Sequence, residues 1–283
     1  MAMASSLDTI GYFTRNIEDA AIILQAIAGR DKHDATTSNI APDNYLEELQ
    51  KSIVGLKIGV VKEYFEVEGF DQKSKRLIDN AIKKIEELTH QSVQQVSLPH
   101  TQYALACYYI IMSAEVSSNL SRYDGIKYGL SEKAENMLSA YVKTRGIGFG
   151  DEVKRRIMLG SYALSHGYYE AYYKKALAVR TLIKKDFDEA FKKIDILLAP
   201  VTPTPAFKLG EKIDNPIQMY LSDIFTLPVN LAGLPALSLP CGKVGKLPVG
   251  LQIIGKQFDE KIILKLAYHY EQNNPSVEAG LSC

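Results

Sequence analysis

The sequence has no excess of charge of either sign, since 33 basic residues are balanced by 33 acidic residues in 283, and its pI is about 7.0. Its pairs of lysines are interspersed with acids: Lys174, Lys175, Lys184, Lys185, Lys192 and Lys193 alternate with Glu170, Asp186, Asp188 and Glu189. Such alternation indicates a solvated helix face rather than a basic surface for RNA. Direct binding of nucleic acid is therefore not expected.

Cysteine is also scarce, and long apolar runs are missing. Cys107, Cys241 and Cys283 have neither metal-type nor C-x-x-C spacing, which indicates free thiols in a reducing compartment. Cys107 and Cys241 stand in apolar contexts, so we expect both in the core. No apolar run approaches the length of a membrane span, and the first residues lack the features of a signal peptide. We expect a cytoplasmic protein that does not contact membranes.

The familiar motifs of covalent and metal catalysis are absent. The sequence contains no G-x-S-x-G, no H-E-x-x-H and no H-x-x-x-H, and its five histidines are scattered. The residues alone therefore reveal no nucleophile.

Apolar periodicity predicts an α/β fold. The predicted strands cover 56–61, 93–98 and 194–199, and the predicted helices cover 15–29, 45–51, 71–88 and 258–272. The helix at 71–88 connects the first two strands, which predicts a βαβ unit with a right-handed crossover if the strands are parallel.

A hairpin is predicted near the C-terminal end. The apolar runs Ala236–Leu239 and Val249–Ile254 each follow a proline, and the glycine-containing loop Gly242–Lys246 separates them. Both runs are almost continuously apolar, which indicates strands covered on both faces. Asp223 stands upstream in the otherwise apolar stretch 220–227, where a buried carboxylate needs a cation or hydrogen-bond donors. We expect this carboxylate to point from the edge of the core toward a ligand.

The segment 100–191 is predicted to be mainly helical. Its helices cover 102–120, 131–143 and 151–191, with breaks near Gly160 and Gly167. The glycine-rich run 146–150 has two interpretations. It could bind phosphate at a helix N-terminus, but it lacks a P-loop lysine and is followed by Asp151 and Glu152. A mobile loop is the favoured interpretation.

Arg155 and Arg156 are the first candidate binding residues. Adjacent helical side chains point about 100° apart, so one of the two is expected to turn inward and meet a carboxylate. That carboxylate belongs either to Asp151 or Glu152 or to a ligand. Arg156 together with Asp223 would suit a free amino acid, whose α-carboxylate needs a cation and whose α-ammonium needs an anion.

The 17 tyrosines include three adjacent pairs. Tyr168, Tyr169, Tyr172 and Tyr173 form i, i+4 couples, which predicts a packed aromatic stripe with hydroxyls at its rim. Tyr108 or Tyr109 could instead point a hydroxyl into a pocket.

Six segments together resemble a known family. They are A-S-S-L-D-T-I-G-Y-F-T-R-N-I-E-D-A-A at 4–21, Y-Y-I-I-M-S-A-E-V-S-S-N-L-S-R-Y-D-G at 108–125, G-F-G-D-E-V-K-R-R-I-M-L-G at 148–160, G-Y-Y-E-A-Y-Y-K-K-A at 167–176, A-P-V-T-P-T-P-A-F at 199–207, and the stretch 219–260. They resemble the C-terminal part of the A subunit of the aspartyl/glutamyl-tRNA(Asn/Gln) amidotransferases, a group within the amidase signature family. The resemblance covers residues 4 to 272.

This resemblance implies a large mixed β-sheet flanked by helices and a function in glutamine hydrolysis. Family members use a Ser–cis-Ser–Lys triad and pass ammonia to the transferase partner, the B subunit, which binds the mischarged tRNA and uses ATP and Mg; a small C subunit completes the complex. No cofactor is expected on this chain, and tRNA is expected only through the partner. By motif, Arg156 would hold the α-carboxylate of glutamine and Asp223 its α-ammonium. Tyr108 would contribute as well, or Tyr109 if the register is shifted by one.

The chain departs from the family pattern at its start. The G-G-S-S-G-G-S signature and the triad lie upstream of A-S-S-L-D in the family, whereas here that motif begins at residue 4 and no G-G-S occurs. No catalytic residue is therefore assigned, and Ser5 and Ser6 are not the nucleophile by this match. We expect residues 1–273 to be the C-terminal part of one amidase domain with a helical insertion around 100–191, followed by a disordered tail at 274–283.

An incomplete domain of this kind is expected to be inactive alone and to have exposed strand edges and apolar surface. The alternatives are a fragment of a stand-alone amidase acting on other small amides, and a non-catalytic half of a split amidase. The choice between Gln-tRNA and Asn-tRNA as product stays open.

Overall fold

A computed structural model describes three stretches of the chain: residues 2–127, 129–211 and 219–274. The chain forms two compact units. We call them the helical unit, which contains residues 1–10 and 103–182, and the sheet unit, which contains residues 11–102 and 183–283. That the units belong to one amidase domain stays a prediction.

The sheet unit contains a five-stranded mixed sheet. Its strands are β1 (Ile58–Val61), β2 (Gln94–Val96), β3 (Ile196–Pro200), β4 (Ala236–Val244) and β5 (Leu247–Ile254). Their spatial order is β2-β1-β3-β5-β4. β1 pairs in parallel with β2 and β3, whereas β5 pairs antiparallel with β3 and β4. The predicted α/β class with a mixed sheet is confirmed.

The βαβ unit is confirmed by β1, β2 and the helix between them, α3 (Gln72–Thr89). This helix begins at Asp71, whose carboxylate accepts hydrogen bonds from the Ser74 N–H at 2.7 Å and the Ser74 hydroxyl at 2.8 Å. Its apolar stripe lies in the core, with Ile78 and Ile85 fully buried. The 3.6-residue period of the sequence therefore corresponds to one buried helix face.

The predicted hairpin forms, but its turn is shorter than expected. Only Gly245 and Lys246 separate β4 from β5, and Gly245 has a φ of 62°. A bulge between Pro240 and Gly242 lets β4 continue to Val244. Two residues with a left-handed glycine suffice for a hairpin turn, so the predicted loop residues 242–244 belong to the strand.

Coverage on both faces was predicted for both hairpin strands, and it is correct for β5 only. Leu251, Ile253 and Ile254 in β5 are fully buried, whereas Ala236 and Ser238 in β4 are exposed. β4 stands at the edge of the described sheet and alternates there between exposed Ala236 and Ser238 and less exposed Leu237 and Leu239, so only one of its faces is covered.

Four further helices belong to the sheet unit: α1 (Ile17–Ile27), α2 (Tyr45–Leu49), α8 (Leu227–Ala232) and α9 (Glu260–Gln272). Thr14 and Asn16 are both suited by residue type to cap α1, and it is Asn16 whose side chain accepts a hydrogen bond from the Asp19 N–H at 2.7 Å. The buried carboxylate of Glu271 on α9 accepts from the Ile17 N–H at 3.1 Å and 3.2 Å. A charged residue distant in sequence thus stabilises the positive end of α1.

The helical unit contains α4 (Ala104–Asn119), α5 (Met137–Gly148), α6 (Asp151–Ala163) and a π-helix at Tyr169–Lys174; α7 (Lys175–Ala190) begins in it. The predicted glycine loop at 146–150 is wrong, because α5 continues through Gly148 and α6 starts directly after Gly150. None of these glycines has a positive φ, so a helix accommodates them. α6 also continues through Gly160, and only the predicted break near Gly167 is confirmed.

Both core cysteines were predicted correctly. Cys107 and Cys241 are buried and free, and burial raises the pKa of the Cys107 thiol to about 11 and that of Cys241 to about 12. A disordered tail was predicted for 274–283. Asn274 is described, and its Nδ2 donates to the Tyr270 hydroxyl at 2.8 Å, whereas 275–283, with Cys283, lie outside the described residues. No helix in the described stretches has the length and apolar character needed to cross a bilayer.

Candidate functional site

Helix α6 positions Arg156 against α4 within the helical unit. Asp151 and Glu152 occupy its first turn, where their negative charges interact favourably with the positive end of the helix dipole. At Gly160 the two helices come very close, since a Cβ there would lie 1.9 Å from the Ser113 carbonyl oxygen of α4. Arg156 lies one turn before this contact and therefore faces α4.

Three groups surround the Arg156 guanidinium. Its Nε donates to Glu152 Oε1 at 2.9 Å, its Nη1 lies 3.5 Å from the Met112 sulfur, and its Cζ lies 6.0 Å from the centroid of the Tyr109 ring. Its Nη2 has no hydrogen-bond partner in the described part of the chain. One terminal nitrogen of a guanidinium held by Tyr109 and Met112 can therefore donate to a ligand carboxylate.

The protein carboxylate proposed for the arginine pair is Glu152. It pairs with both arginines, because Arg155 and Arg156 follow it by three and four residues on the same helix. The Arg155 side chain is 49% exposed and that of Arg156 only 25%, so Arg156 is the inward member. Intrahelical pairing, which the sequence left open, is thus present and leaves Nη2 of Arg156 available.

Tyr109 is the tyrosine on which Arg156 lies. Tyr108 packs edge-on against Tyr109, with 5.3 Å between ring centroids and an interplanar angle of 86°. The structure therefore brings together Arg156 and the second of the two tyrosines that the sequence offers. A role for Tyr108 in ligand binding stays a prediction.

Asp223 belongs to the sheet unit and ends a 3₁₀ turn at Leu221–Asp223. Its carbonyl accepts hydrogen bonds from the N–H and the hydroxyl of Thr226 at 3.0 Å and 3.1 Å. The residue is exposed, whereas Phe225, two positions later, is fully buried in the core. That the Asp223 carboxylate points toward a ligand stays a prediction. That Asp223 and Arg156 converge on one ligand stays a prediction.

Sequence reasoning missed a hydrogen-bond network around the A-S-S-L-D motif. The Ser6 hydroxyl donates to Glu115 at 2.5 Å and accepts from Arg180 Nη1 at 2.7 Å, while Asn119 Nδ2 donates to the Ser5 hydroxyl at 2.8 Å. This network borders an open cleft of about 460 Å³ in the helical unit, also lined by Tyr173. Polar residues inside an otherwise apolar α4 were the available signal.

The predicted tyrosine stripe forms its i, i+4 contacts but is not packed in the core. Tyr168 stacks on Tyr172 at 5.9 Å, and Tyr162, which does not belong to the predicted stripe, lies 4.3 Å from Tyr168. All three rings are exposed. A hydrogen bond with Tyr168 is the main cause that raises the pKa of Tyr162 to about 12.

No group of three or more His, Cys, Asp and Glu residues suited to a metal ion occurs among the described residues. Asn119 and Ser113 are buried polar residues of α4. The Ser113 hydroxyl has no hydrogen-bond partner among the described residues.

Comparison with known proteins places these features in a family. The family model described as Amidase matches residues 1–264. The A subunit of glutamyl-tRNA(Gln) amidotransferase from Thermodesulfovibrio yellowstonii is 59% identical over 276 residues, which are 97% of this chain and 57% of the relative. The same subunit of Carboxydothermus hydrogenoformans is 58% identical over 274 residues, covering 96% of this chain and 56% of the relative.

Solved structures agree with this result. The crystal structure of the glutamyl-tRNA(Gln) amidotransferase A subunit from Thermotoga maritima has a TM-score of 0.77 and 40% identity, covering 97% of this chain and 54% of its own. A bacterial aryl acylamidase of the amidase signature enzymes, 20% identical with a TM-score of 0.71, covers 95% and 55% and shares the fold. The chain thus spans somewhat more than half the length of these relatives. It belongs to the amidase family.

Proposed function

We propose that the chain is the glutamine-binding part of the A subunit of a tRNA-dependent amidotransferase. Such a protein hydrolyses the carboxamide of glutamine, and its partner uses the ammonia to convert Glu-tRNA(Gln), or Asp-tRNA(Asn), to the amidated tRNA. The identity of 59% to a protein named as the A subunit of glutamyl-tRNA(Gln) amidotransferase supports this role.

The observation that carries the glutamine site is the setting of Arg156. Its guanidinium lies on Tyr109 beside the Met112 sulfur and has an unpaired Nη2 among the described residues. In the proposed complex this group donates to the α-carboxylate of glutamine, while Asp223 accepts from the α-ammonium. Tyr109, or Tyr108 by the family motif, forms the wall of the site. Charge-assisted bonds at both ends of the ligand would favour an amino acid over an uncharged amide.

The proposed partners are the transferase B subunit and the small C subunit. Balanced charge, 33 basic against 33 acidic residues, suits a protein that meets tRNA only through its partner. ATP and Mg belong to the partner in this proposal, and this chain holds no cofactor. Complex formation with tRNA would place the protein in the cytoplasm.

The nucleophile and lysine of the family are not assigned to any residue here, so we propose that this chain alone does not hydrolyse glutamine. Ser6 is not an alternative nucleophile in this proposal. Its hydroxyl is held between Glu115 and Arg180, and a serine attacks only when a base takes its proton in the correct geometry.

A second candidate is the non-catalytic half of a split amidase, and the lack of a G-G-S sequence that could carry the family's triad favours it. Co-expression with a polypeptide corresponding to the unmatched part of the relatives tests it. Ammonia release from glutamine by the pair but not by this chain supports the split. Release by this chain alone contradicts both candidates.

Calorimetric titration of L-glutamine into the full chain tests the proposed site. Arg156→Ala removes charged hydrogen bonds worth about 1.5–3 kcal/mol, so affinity should fall about 10- to 150-fold. Arg155→Ala is the matched control, because it removes the neighbouring exposed arginine that shares Glu152. Equal effects of the two substitutions, or none from Arg156→Ala, would refute the site.

A further inference from the structure

Resting on the proposed glutamine site, we propose that Gly160 and Met112 are positioning residues that fix the Arg156 guanidinium for its ligand. Neither residue is assigned a role in ligand binding by the motif match. The inference concerns the contact between α4 and α6, both of which lie in the helical unit.

Gly160 stands inside α6, where glycine is intrinsically less favourable than alanine. The close contact with α4 explains its presence. A Cβ at this position would lie 1.9 Å from the Ser113 carbonyl oxygen and 2.9 Å from the Ser117 Cβ. The first of these atoms is backbone, so no side-chain rotation relieves the clash. Ordinary van der Waals contact begins at 3.4 Å, and a methyl group would therefore force the helices apart.

Arg156 lies one helical turn before Gly160, and its neighbours on α4 are Tyr109 and Met112. The sulfur of Met112 lies 3.5 Å from Nη1, and the residue is fully buried. The guanidinium is thus supported by a ring and a sulfur atom whose distance depends on how closely α4 and α6 approach at Gly160. Separating the helices would remove that support and leave Arg156 with Glu152 as its partner on its own helix.

A misplacement of a substrate-positioning group by about 1 Å can lower the catalytic rate of an enzyme by about 100-fold. We therefore expect Gly160→Ala to weaken glutamine binding as strongly as Arg156→Ala. The effect is expected only for ligands that Arg156 contacts. This selectivity separates positioning from a general loss of structure.

The experiment uses the full chain and two ligands, L-glutamine and 4-aminobutanamide, which keeps the ammonium and carboxamide of glutamine but lacks the carboxylate. Gly160→Ala and Arg156→Ala should both lower affinity for glutamine at least tenfold and leave affinity for 4-aminobutanamide unchanged. In the Arg156→Ala background, Gly160→Ala should cause no further loss. Gly146→Ala is the matched control, because a Cβ on that helical glycine meets nothing within 4 Å.

Met112→Leu provides a test that does not rely on the folding of Gly160→Ala. It keeps the volume and apolar character of the side chain but removes the sulfur that faces Nη1. Glutamine affinity should fall two- to fivefold, with the affinity for 4-aminobutanamide unchanged. Equal losses for both ligands, or losses that persist in the Arg156→Ala background, overturn the inference. If Arg156→Ala itself leaves glutamine affinity unchanged, the proposed glutamine site fails instead.

Discussion

At the scale of single residues, the account depends on which carboxylate meets Arg156. Glu152 occupies Nε, and Nη2 is unpaired among the described residues, so the guanidinium is shared between its own helix and the proposed ligand. The intrahelical pair is partly exposed, with side-chain exposures of 25% and 41%, and such pairs contribute little to stability. Arg156 can therefore change partners at a small free-energy cost.

Glu152→Gln should strengthen glutamine binding. The substitution removes a negative charge that competes with the α-carboxylate for Arg156, and partly exposed pairs are worth about 0.2–1 kcal/mol, or up to about fivefold in affinity. Titration with glutamine measures the change. Asp151→Asn is the matched control, because it removes the same charge from the same helical turn. Weaker binding by Glu152→Gln alone would mean that Glu152 holds Arg156 in place.

At the scale of secondary structure elements, the sequence predicted the features that depend on interactions between residues close together in the chain. The βαβ unit around α3, its buried stripe and the cap Asn16 of α1 follow from periodicity and side-chain hydrogen bonding. The glycine run 146–150 and Gly160 were misread as loop signals. Gly160 lies inside a helix because α4 approaches α6 too closely there for a side chain. This approach is a tertiary contact, which the local sequence does not reveal.

In the candidate site, too, local features could be predicted from the sequence and tertiary contacts could not. The sequence identified Arg156 and left Tyr108 and Tyr109 as alternatives, because one position along a helix changes the facing direction by about 100°. Met112, Ser113 and Gly160 could not be identified, since their importance lies in contact between two helices. The network of Ser6, Glu115 and Arg180 joins Ser6 to positions more than 100 residues away, so the polar residues of α4 indicate hydrogen bonding there but not the partners.

Asp71→Ala should destabilise α3 by about 1 kcal/mol, because it leaves the Ser74 N–H without its acceptor. Asp79→Ala, which removes a carboxylate from the middle of the same helix, should cost less than about 0.5 kcal/mol. Chemical denaturation measures both. Hydrogen bonds from Ser74 lower the pKa of Asp71 below its usual 3.8, so its contribution is complete above that pH and is lost as pH falls through the lowered folded value. A difference between the variants that does not shrink as the pH is lowered below 3.8 would contradict the capping role.

At the scale of the whole molecule, several large apolar side chains are exposed at the surface of the described residues. Phe13 is fully exposed and borders an open cleft of about 510 Å³ together with Ile22 and Ile23 of the sheet unit. Large exposed apolar groups of this kind mark interaction surfaces or cause aggregation.

Phe13→Ser should raise the soluble yield of the isolated chain without lowering its free energy of unfolding, because the folded state does not bury this ring. Phe225→Ala is the contrasting substitution. Phe225 is fully buried, with ring centroids 5.2 Å from Tyr64 and 5.7 Å from Phe70, and its loss should cost about 3–5 kcal/mol. Sedimentation and denaturation measure the two effects. A large stability loss from Phe13→Ser would show that this ring is packed in solution.

The central proposal is that Arg156 binds the α-carboxylate of glutamine and that Asp223 binds its α-ammonium. The most direct test is a crystal structure of the protein with L-glutamine and with a polypeptide that corresponds to the unmatched part of the relatives. We predict the α-carboxylate within hydrogen-bond distance of Arg156 beside the Tyr109 ring, and the α-ammonium at the Asp223 carboxylate. Glutamine bound with its carboxylate away from Arg156, or with Asp223 facing solvent, would contradict the account.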